Sequence, residues 1–288
     1  MIKNNTLFLK TKDFSVSGEV FELHQNDACD FLETLPRPLK QDLPSYYNSS
    51  QYVSHQTSKR NLFDWVYFLV RWLTLKKKIK LISRFSFERQ TLLDYGAGVG
   101  YFVRSTRSAG WESIGIESSV EARKAANLIL QNSIFDESHT KKLKSKSQSI
   151  ISLWHVLEHL PDFKQNIKEF DRLLSQDGRL IVAVPNFKSY DAQYFKNFWA
   201  AYDVPRHLWH FSPKSIVRLF YEFGFELEST HPMRFDAYYV SLLSTKYKYG
   251  KMSISKAFWV GFQSNLRAKR SGHYSSLIYV FKRKKNLI

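Results

Sequence analysis

The residues best suited to chemistry fall in two places. The first is Asp94-Tyr95-Gly96-Ala97-Gly98-Val99-Gly100, where three glycines alternate directly behind a short apolar run. Glycines so placed let the backbone turn sharply and let a ligand lie against it with no Cβ in the way. A nicotinamide or flavin fingerprint needs glycine at the sixth position of G-x-G-x-x-G, and Tyr101 stands there instead. An acid two residues before the first glycine suits a ligand with an ammonium group better than one with a pyrophosphate. Glu117 closes the next apolar run 23 residues after Asp94. Doubly wound nucleotide sites present a carboxylate to both ribose hydroxyls at that place. S-adenosylmethionine meets this description: an amino-acid end at Asp94, a ribose at Glu117, and no phosphate.

The second place is rich in histidine: His155-Val156-Leu157-Glu158-His159, then His207 and His210 in Asp203-Val204-Pro205-Arg206-His207-Leu208-Trp209-His210. The first string matches the H-x-x-E-H of one zinc peptidase class, which requires a long helix. Here it starts at the end of an apolar run and meets Pro161 two residues later, so a peptidase is set aside. Three readings stay open. One of His155, His159, His207 or His210 is a general base for an acceptor hydroxyl, a task suited to an imidazole of pKa about 6.5. Alternatively, Glu158 and His159 with a later histidine hold a divalent metal that orients a hydroxyl pair. In the third reading the histidines hydrogen-bond loops around the cofactor.

These residues need elements to position them. TLLDYG (91–96), WESIGIE (111–117), SIISLWH (149–155) and RLIVAVPN (179–186) read as buried strands, with another expected within 129–135. Helical patterns cover 103–110, 119–128 and 163–178, the last stopped by Gly178. Ser212-Pro213 opens a further helix as N-cap and first-turn proline, and Gly224 ends it. FELEST (225–230) and SSLIYVFK (275–282) form a strand pair. Strands alternating with helices predict an α/β fold with a parallel sheet covered on both faces. Ligands of such sheets sit at strand ends near the order reversal, which predicts His155 beside the reacting group.

Ahead of this lies a different texture. FSVSGEVFEL (14–23) alternates around Gly18 like a hairpin, and LPRPLKQDLP breaks the chain with three prolines. Residues 1–57 are therefore expected as a small appended β module and 58–288 as the main domain, with 235–272 an insert between its last two strands. NLFDWVYFLVRWLTL (61–75) is apolar at 11 of the 14 positions after Asn61 but contains Asp64 and Arg71. A bilayer span needs about 20 apolar residues, so this helix is buried or interfacial.

The 288 residues carry a net charge of +17. Residues 58–90 hold nine Lys/Arg against two acids and residues 236–288 hold eleven against one, so two flanks at +7 and +10 carry the whole excess. Such flanks fit contact with something anionic, a membrane surface or RNA. The single cysteine, Cys29, excludes an internal disulfide and any multi-cysteine zinc site and fits a reducing cytoplasm. MIKNNTLFLK lacks the apolar core of a signal peptide, so export is not expected.

D-x-G-x-G-x-G at 94–100, the acid Glu117, LWHVLEHL at 153–160 and VPN at 184–186 resemble class I S-adenosylmethionine-dependent methyltransferases. The likeness runs to the ubiquinone-biosynthesis O-methyltransferase-like branch and covers about residues 90–231. It implies a Rossmann-like doubly wound seven-stranded sheet with an antiparallel last strand. Carried over by position, Asp94, Gly96, Gly98 and Gly100 contact the methionine part, Glu117 the ribose, Phe135 and Asp136 the adenine, and Trp154 joins the cofactor residues. The metal reading resembles relatives with an E-x-x-E-H string, from which this chain departs at His155; Mg²⁺ prefers oxygen ligands. Residues 1–57 resemble a degenerate zinc-ribbon-like module in which Cys29 alone survives, so no zinc is expected there.

The leading expectation is O-methylation of a small-molecule acceptor. Its pocket is expected from 46–55, 190–207 and the insert. An RNA methyltransferase and a catalytically inactive cofactor-binding interaction protein are the alternatives.

Overall fold

The computed structural model describes residues 5–26, 30–39, 41–47, 62–85 and 87–284. Cys29 lies outside them, as does the 48–55 part of the expected acceptor segment.

The first three strands, β1 (Asn5–Lys12), β2 (Val20–Asn26) and β3 (Phe31–Leu35), form an antiparallel meander. The expected hairpin exists, but Phe14–Ser17 is its turn and its first strand lies earlier. The Asp13 carboxylate accepts the backbone N–H groups of Ser15 (2.9 Å) and Ser17 (2.9 Å), so a side chain satisfies donors that a strand pairing would otherwise take.

Helix α1 (Leu62–Ile82) leads to the strand–helix alternation: β4 (Thr91–Tyr95), α2 (Tyr101–Ser108), β5 (Glu112–Ile116), α3 (Val120–Leu130), β6 (Ile134–Phe135), β7 (Gln148–Trp154), α4 (Phe163–Leu173) and β8 (Leu174–Pro185). After α5 (Tyr190–Phe195) come β9 (Trp209–His210), α6 (Pro213–Glu222), β10 (Phe225–Pro232), the helices α7 (Asp236–Tyr249) and α8 (Ile254–Ser271) of the insert, and β11 (Ser276–Arg283). The seven-stranded sheet runs β10-β11-β8-β7-β4-β5-β6, with β4 parallel to β5 and β7 and with β10 antiparallel to β11. Every residue of β4 is buried, as expected of a parallel strand covered on both faces. Ser212 caps α6 in a reciprocal capping box with Ser215, as the Ser-Pro pair predicts.

Two boundaries differ from the sequence pattern. The strand sought in 129–135 is only Ile134–Phe135, because α3 runs through Leu130 and Gln131 and Asn132 turn left-handed (φ 50° and 56°). The helix over 163–178 stops at Leu173. Gly178 is a strand residue, where a Cβ would lie 2.7 Å from Leu174 Cγ and 3.0 Å from the Ser149 carbonyl.

The chain divides into two compact units, residues 1–47 with 155–163 and 182–284, and residues 48–154 with 164–181 and 285–288. In the first, the small sheet gains β9 as a fourth strand, Leu32 opposite His210 and Glu33 opposite Trp209. Its core joins Phe21, Leu23 and Leu32 to Phe195, Trp199 and Val260. In the second, Val103, Ala126, Leu130 and Ile134 pack α2 and α3 against the sheet.

Candidate active site

In the second unit, the backbone after β4 is left-handed at Gly96, Gly98 and Gly100 (φ 79°, 54° and 78°). The N–H groups of Gly96 and Ala97 donate to the Ile116 carbonyl at 2.7 and 2.9 Å, hooking the loop to the end of β5. The glycines then do different things. A Cβ on Gly100 would lie 2.4 Å from Leu130 Cδ1, so Gly100 permits close helix packing. A Cβ on Gly98 would meet nothing within 4 Å, so Gly98 keeps an open face for a ligand.

Glu117, 5% exposed, accepts the N–H of Gly98 at 2.8 Å and that of Ser119 at 2.9 Å. Its carboxylate is thereby fixed at the mouth of the loop. Asp94 is 2% exposed and accepts from Ser152 Oγ at 2.7 Å. Burial, aided by the charge of Glu117, raises its pKa to about 7, against the opposing pull of Ser152 and Lys78. The Lys78 ammonium lies 3.9 Å from the Trp154 ring, whose buried indole N–H has no hydrogen-bond partner. Phe135 stacks on His139 with centroids 3.8 Å apart and planes 6° apart. Asp136 accepts the N–H of Ser138 at 2.9 Å, and its pKa is lowered by its bonds to Ser138. Both line a cleft of about 230 Å³ with Arg123 and His139. An ionisable acid, a fixed carboxylate, an open glycine and a flat aromatic fit the ammonium, ribose and adenine of S-adenosylmethionine. Ser152, Lys78 and His139 escaped sequence reasoning, since each is defined only by the residue it faces.

The histidines belong to the first unit. His155 has φ 58°, and its N–H donates to the Ala183 carbonyl at 3.0 Å. Its ring lies between two carboxylates, with Nε2 3.1 Å from Asp236 and Nδ1 3.4 Å from Glu158. Burial works against its charge, but Asp236 and Glu158 outweigh that and lift the pKa to about 10. An imidazolium so held has no lone pair to take a proton, which counts against His155 as a base. Asp236, at the start of the insert 81 residues away, had no signal in the sequence.

His159 Nδ1 is 3.0 Å from the Arg206 carbonyl and His207 Nδ1 is 2.9 Å from the Ala201 carbonyl. A carbonyl only accepts, so both rings carry a hydrogen on Nδ1, and Nε2 is the nitrogen that bears the lone pair whenever the ring is neutral. Burial, and next the charge of His207, hold the His159 pKa down at about 4. The rings meet edge to face at 4.5 Å. Between them and His155 sits Glu158, 1% exposed, with neither carboxylate oxygen in a hydrogen bond. Ligand atoms of Glu158, His159 and His207 all lie within 4.8 Å of one another. His210 stands apart: its Nε2 is 3.0 Å from Thr34 Oγ1, and burial holds its pKa well below the usual value.

No curated protein sequence matches the chain. Among solved structures, magnesium protoporphyrin IX methyltransferase from Synechocystis, with bound SAH, is similar at TM-score 0.54 and 16% identity, over 85% of this chain and 100% of that one. A SAM-dependent methyltransferase from Archaeoglobus fulgidus is similar at TM-score 0.50 and 16% identity, over 75% and 99%. At such identity these likenesses establish the fold. Residues 69–230, more than half of the chain, match the family model for the methyltransferase domain, so the chain belongs to that family of S-adenosylmethionine-dependent enzymes.

Proposed function

We propose that this enzyme methylates an oxygen of a small-molecule acceptor. When bound, S-adenosylmethionine supplies an electrophilic methyl group on a sulfonium, so the protein's main task is in-line positioning, with a base where the acceptor is a hydroxyl. Asp94 holds the ammonium, Glu117 the ribose, Phe135 and Asp136 the adenine, and the free Trp154 indole N–H is a donor toward the same ligand. The observation that carries the oxygen reading is the pair His159 and His207, each with Nδ1 committed to a carbonyl so that Nε2 is the nitrogen left to exchange a proton. The half-buried rings of Tyr190, Tyr194 and Phe198 support a planar or lipidic acceptor.

Calorimetric titration with S-adenosylmethionine tests the cofactor half. Gly98→Val fills the open face, and Glu117→Ala removes charge-assisted bonds worth about 1.5–3 kcal/mol each, so each variant loses tenfold or more in affinity, by the order of magnitude of such bonds. Unchanged affinity in both would sink the assignment. Metabolite comparison of a deletion strain with its parent tests the acceptor class. Methylated RNA as the missing product would favour the RNA alternative.

A second reading has its own observation. Glu158 accepts no hydrogen bond, faces the His155 imidazolium at 3.4 Å, and has a carboxylate oxygen within 4.8 Å of ring nitrogens of His159 and His207. Glu158, His159 and His207 would hold a divalent metal that polarises an acceptor hydroxyl. A set of two nitrogens and one carboxylate suits Zn²⁺, Mn²⁺ or Fe²⁺ better than Mg²⁺. The basic flanks further support contact with an anionic membrane surface, RNA being the alternative partner.

A further inference from the structure

Helix α8 of the insert carries an exposed apolar face. One side of α8 is built of small residues: Ala257, Gly261, Ser264 and Ala268 are buried. Gly261 allows close approach to α7, since a Cβ there would lie 2.7 Å from the Tyr238 ring. Val260 is buried with the small residues, whereas the larger apolar side chains are left largely exposed, Phe258 also stacking on Tyr238 of α7 at 5.5 Å between centroids. Ile254, Phe258, Trp259, Phe262 and Leu266 are 42–62% exposed. At about 100° per residue they cover an arc of about 140° on the 18-residue helix. Arg270, Lys256 and Arg267, all exposed, lie about 20–80° beyond that arc, the last two over the rings of Tyr249 and Tyr190, and exposed Lys269 lies within it in the last turn. Residues 236–272 contain seven Lys/Arg and a single acid, Asp236, and residues 237–288 contain no Asp or Glu.

We propose that this face of α8 lies flat on an anionic phospholipid bilayer. The apolar row enters the headgroup boundary, and Lys256, Arg267 and Arg270 meet the lipid phosphates. A helix with aromatic and aliphatic residues on one arc and cations beside it is the form that binds in the plane of such an interface. Charge complementarity selects this occupant. A second copy would bring the same positive face against itself, and RNA would engage the cations while leaving five large apolar side chains in water. Among the described residues no helix is long and apolar enough to cross a membrane. The proposal deepens the reading that the basic flanks meet an anionic surface and rests on it, not on the identity of the methyl acceptor.

The test is co-sedimentation of the full chain with phosphatidylcholine vesicles, with and without phosphatidylglycerol. The wild type is expected to bind the anionic vesicles. A variant combining Phe258→Ser, Trp259→Ser and Phe262→Ser is expected to bind about tenfold more weakly or worse, while its circular dichroism and cofactor affinity stay unchanged because the three side chains are exposed. Brominated lipid is expected to quench tryptophan fluorescence in the wild type and distinctly less in Trp259→Phe. Wild-type sedimentation of the triple variant overturns the assignment to α8 and leaves the flank reading standing. Failure of the wild type to bind anionic vesicles overturns both. Self-association or RNA retention that the triple variant abolishes, without vesicle binding, gives the face to another occupant and overturns the proposal.

Discussion

Asp94 shows how burial turns an ordinary carboxylate into a group that titrates near neutrality. The groups facing it are Ser152, Lys78 and Glu117, and together they leave its pKa at about 7. Below that value the unliganded enzyme carries a proton where, under the proposed assignment, an ammonium binds. Cofactor affinity is therefore expected to rise with pH up to about 7 and level off above it, and Asp94→Asn is expected to abolish the slope in calorimetric titrations. The linkage to stability has the opposite sign. Between the ordinary carboxylate value of 3.8 and about 7 the folded protein retains a proton that the unfolded chain has released, so the unliganded enzyme loses stability as pH rises through that window. The histidines divide in the same residue-by-residue way. If His159 or His207 serves as base, alanine there lowers kcat by about 10²–10⁴ with cofactor affinity unchanged. His210→Ala is expected to lower the melting temperature instead, because its partner is Thr34. Equal loss of kcat in all three variants would refute this division.

Among the elements, the small sheet and the histidine segment hold each other. Thr34 Oγ1 on β3 donates to the His207 carbonyl at 2.7 Å, and β9 pairs with β3. Arg206, next to His207, bonds Asp13 at 2.9 Å, Asp203 at 2.7 Å and the Tyr46 carbonyl at 2.8 Å. Both members of the Arg206–Asp13 pair are buried, so Asp13→Ala removes a charge-assisted bond while Asp203 still compensates Arg206, and is expected to cost about 1.5–3 kcal/mol in denaturant unfolding. Removing Lys10 from its exposed pair with Glu22 is expected to cost about 0–1 kcal/mol. Equal costs would mean that the clamp is not what orders this segment. Of these elements, a hairpin including β2 was legible from alternation around Gly18, but its first strand was not, because 14–17 form the turn and β1 lies ahead of the alternating stretch. β9 was not, because two residues in a histidine-rich loop show no period.

For the whole molecule, the metal reading makes a stoichiometric prediction. Purified enzyme is expected to contain one divalent ion per chain, lost in Glu158→Gln and retained in Cys29→Ser; elemental analysis that finds the ion insensitive to Glu158 refutes it. Composition and spacing alone determined the class of fold, the glycine loop, Glu117 and the strands β4, β5, β7 and β8. Those features are written locally: a parallel strand buried on both faces must be apolar along its length, and a backbone that touches a ligand must lack a Cβ. Tertiary structure alone decided that Asp236 pairs with His155 and keeps it protonated, that Glu158 lies buried beside that imidazolium without a hydrogen bond, and that Thr34 holds His210. It also decided the orientation of α8. Its helical period marks one arc of small residues and one of large aromatic ones, and size alone would send the aromatics inward. They face outward because α7 approaches too closely at Gly261 for anything but small side chains, and a period records which residues share a face but not what covers it.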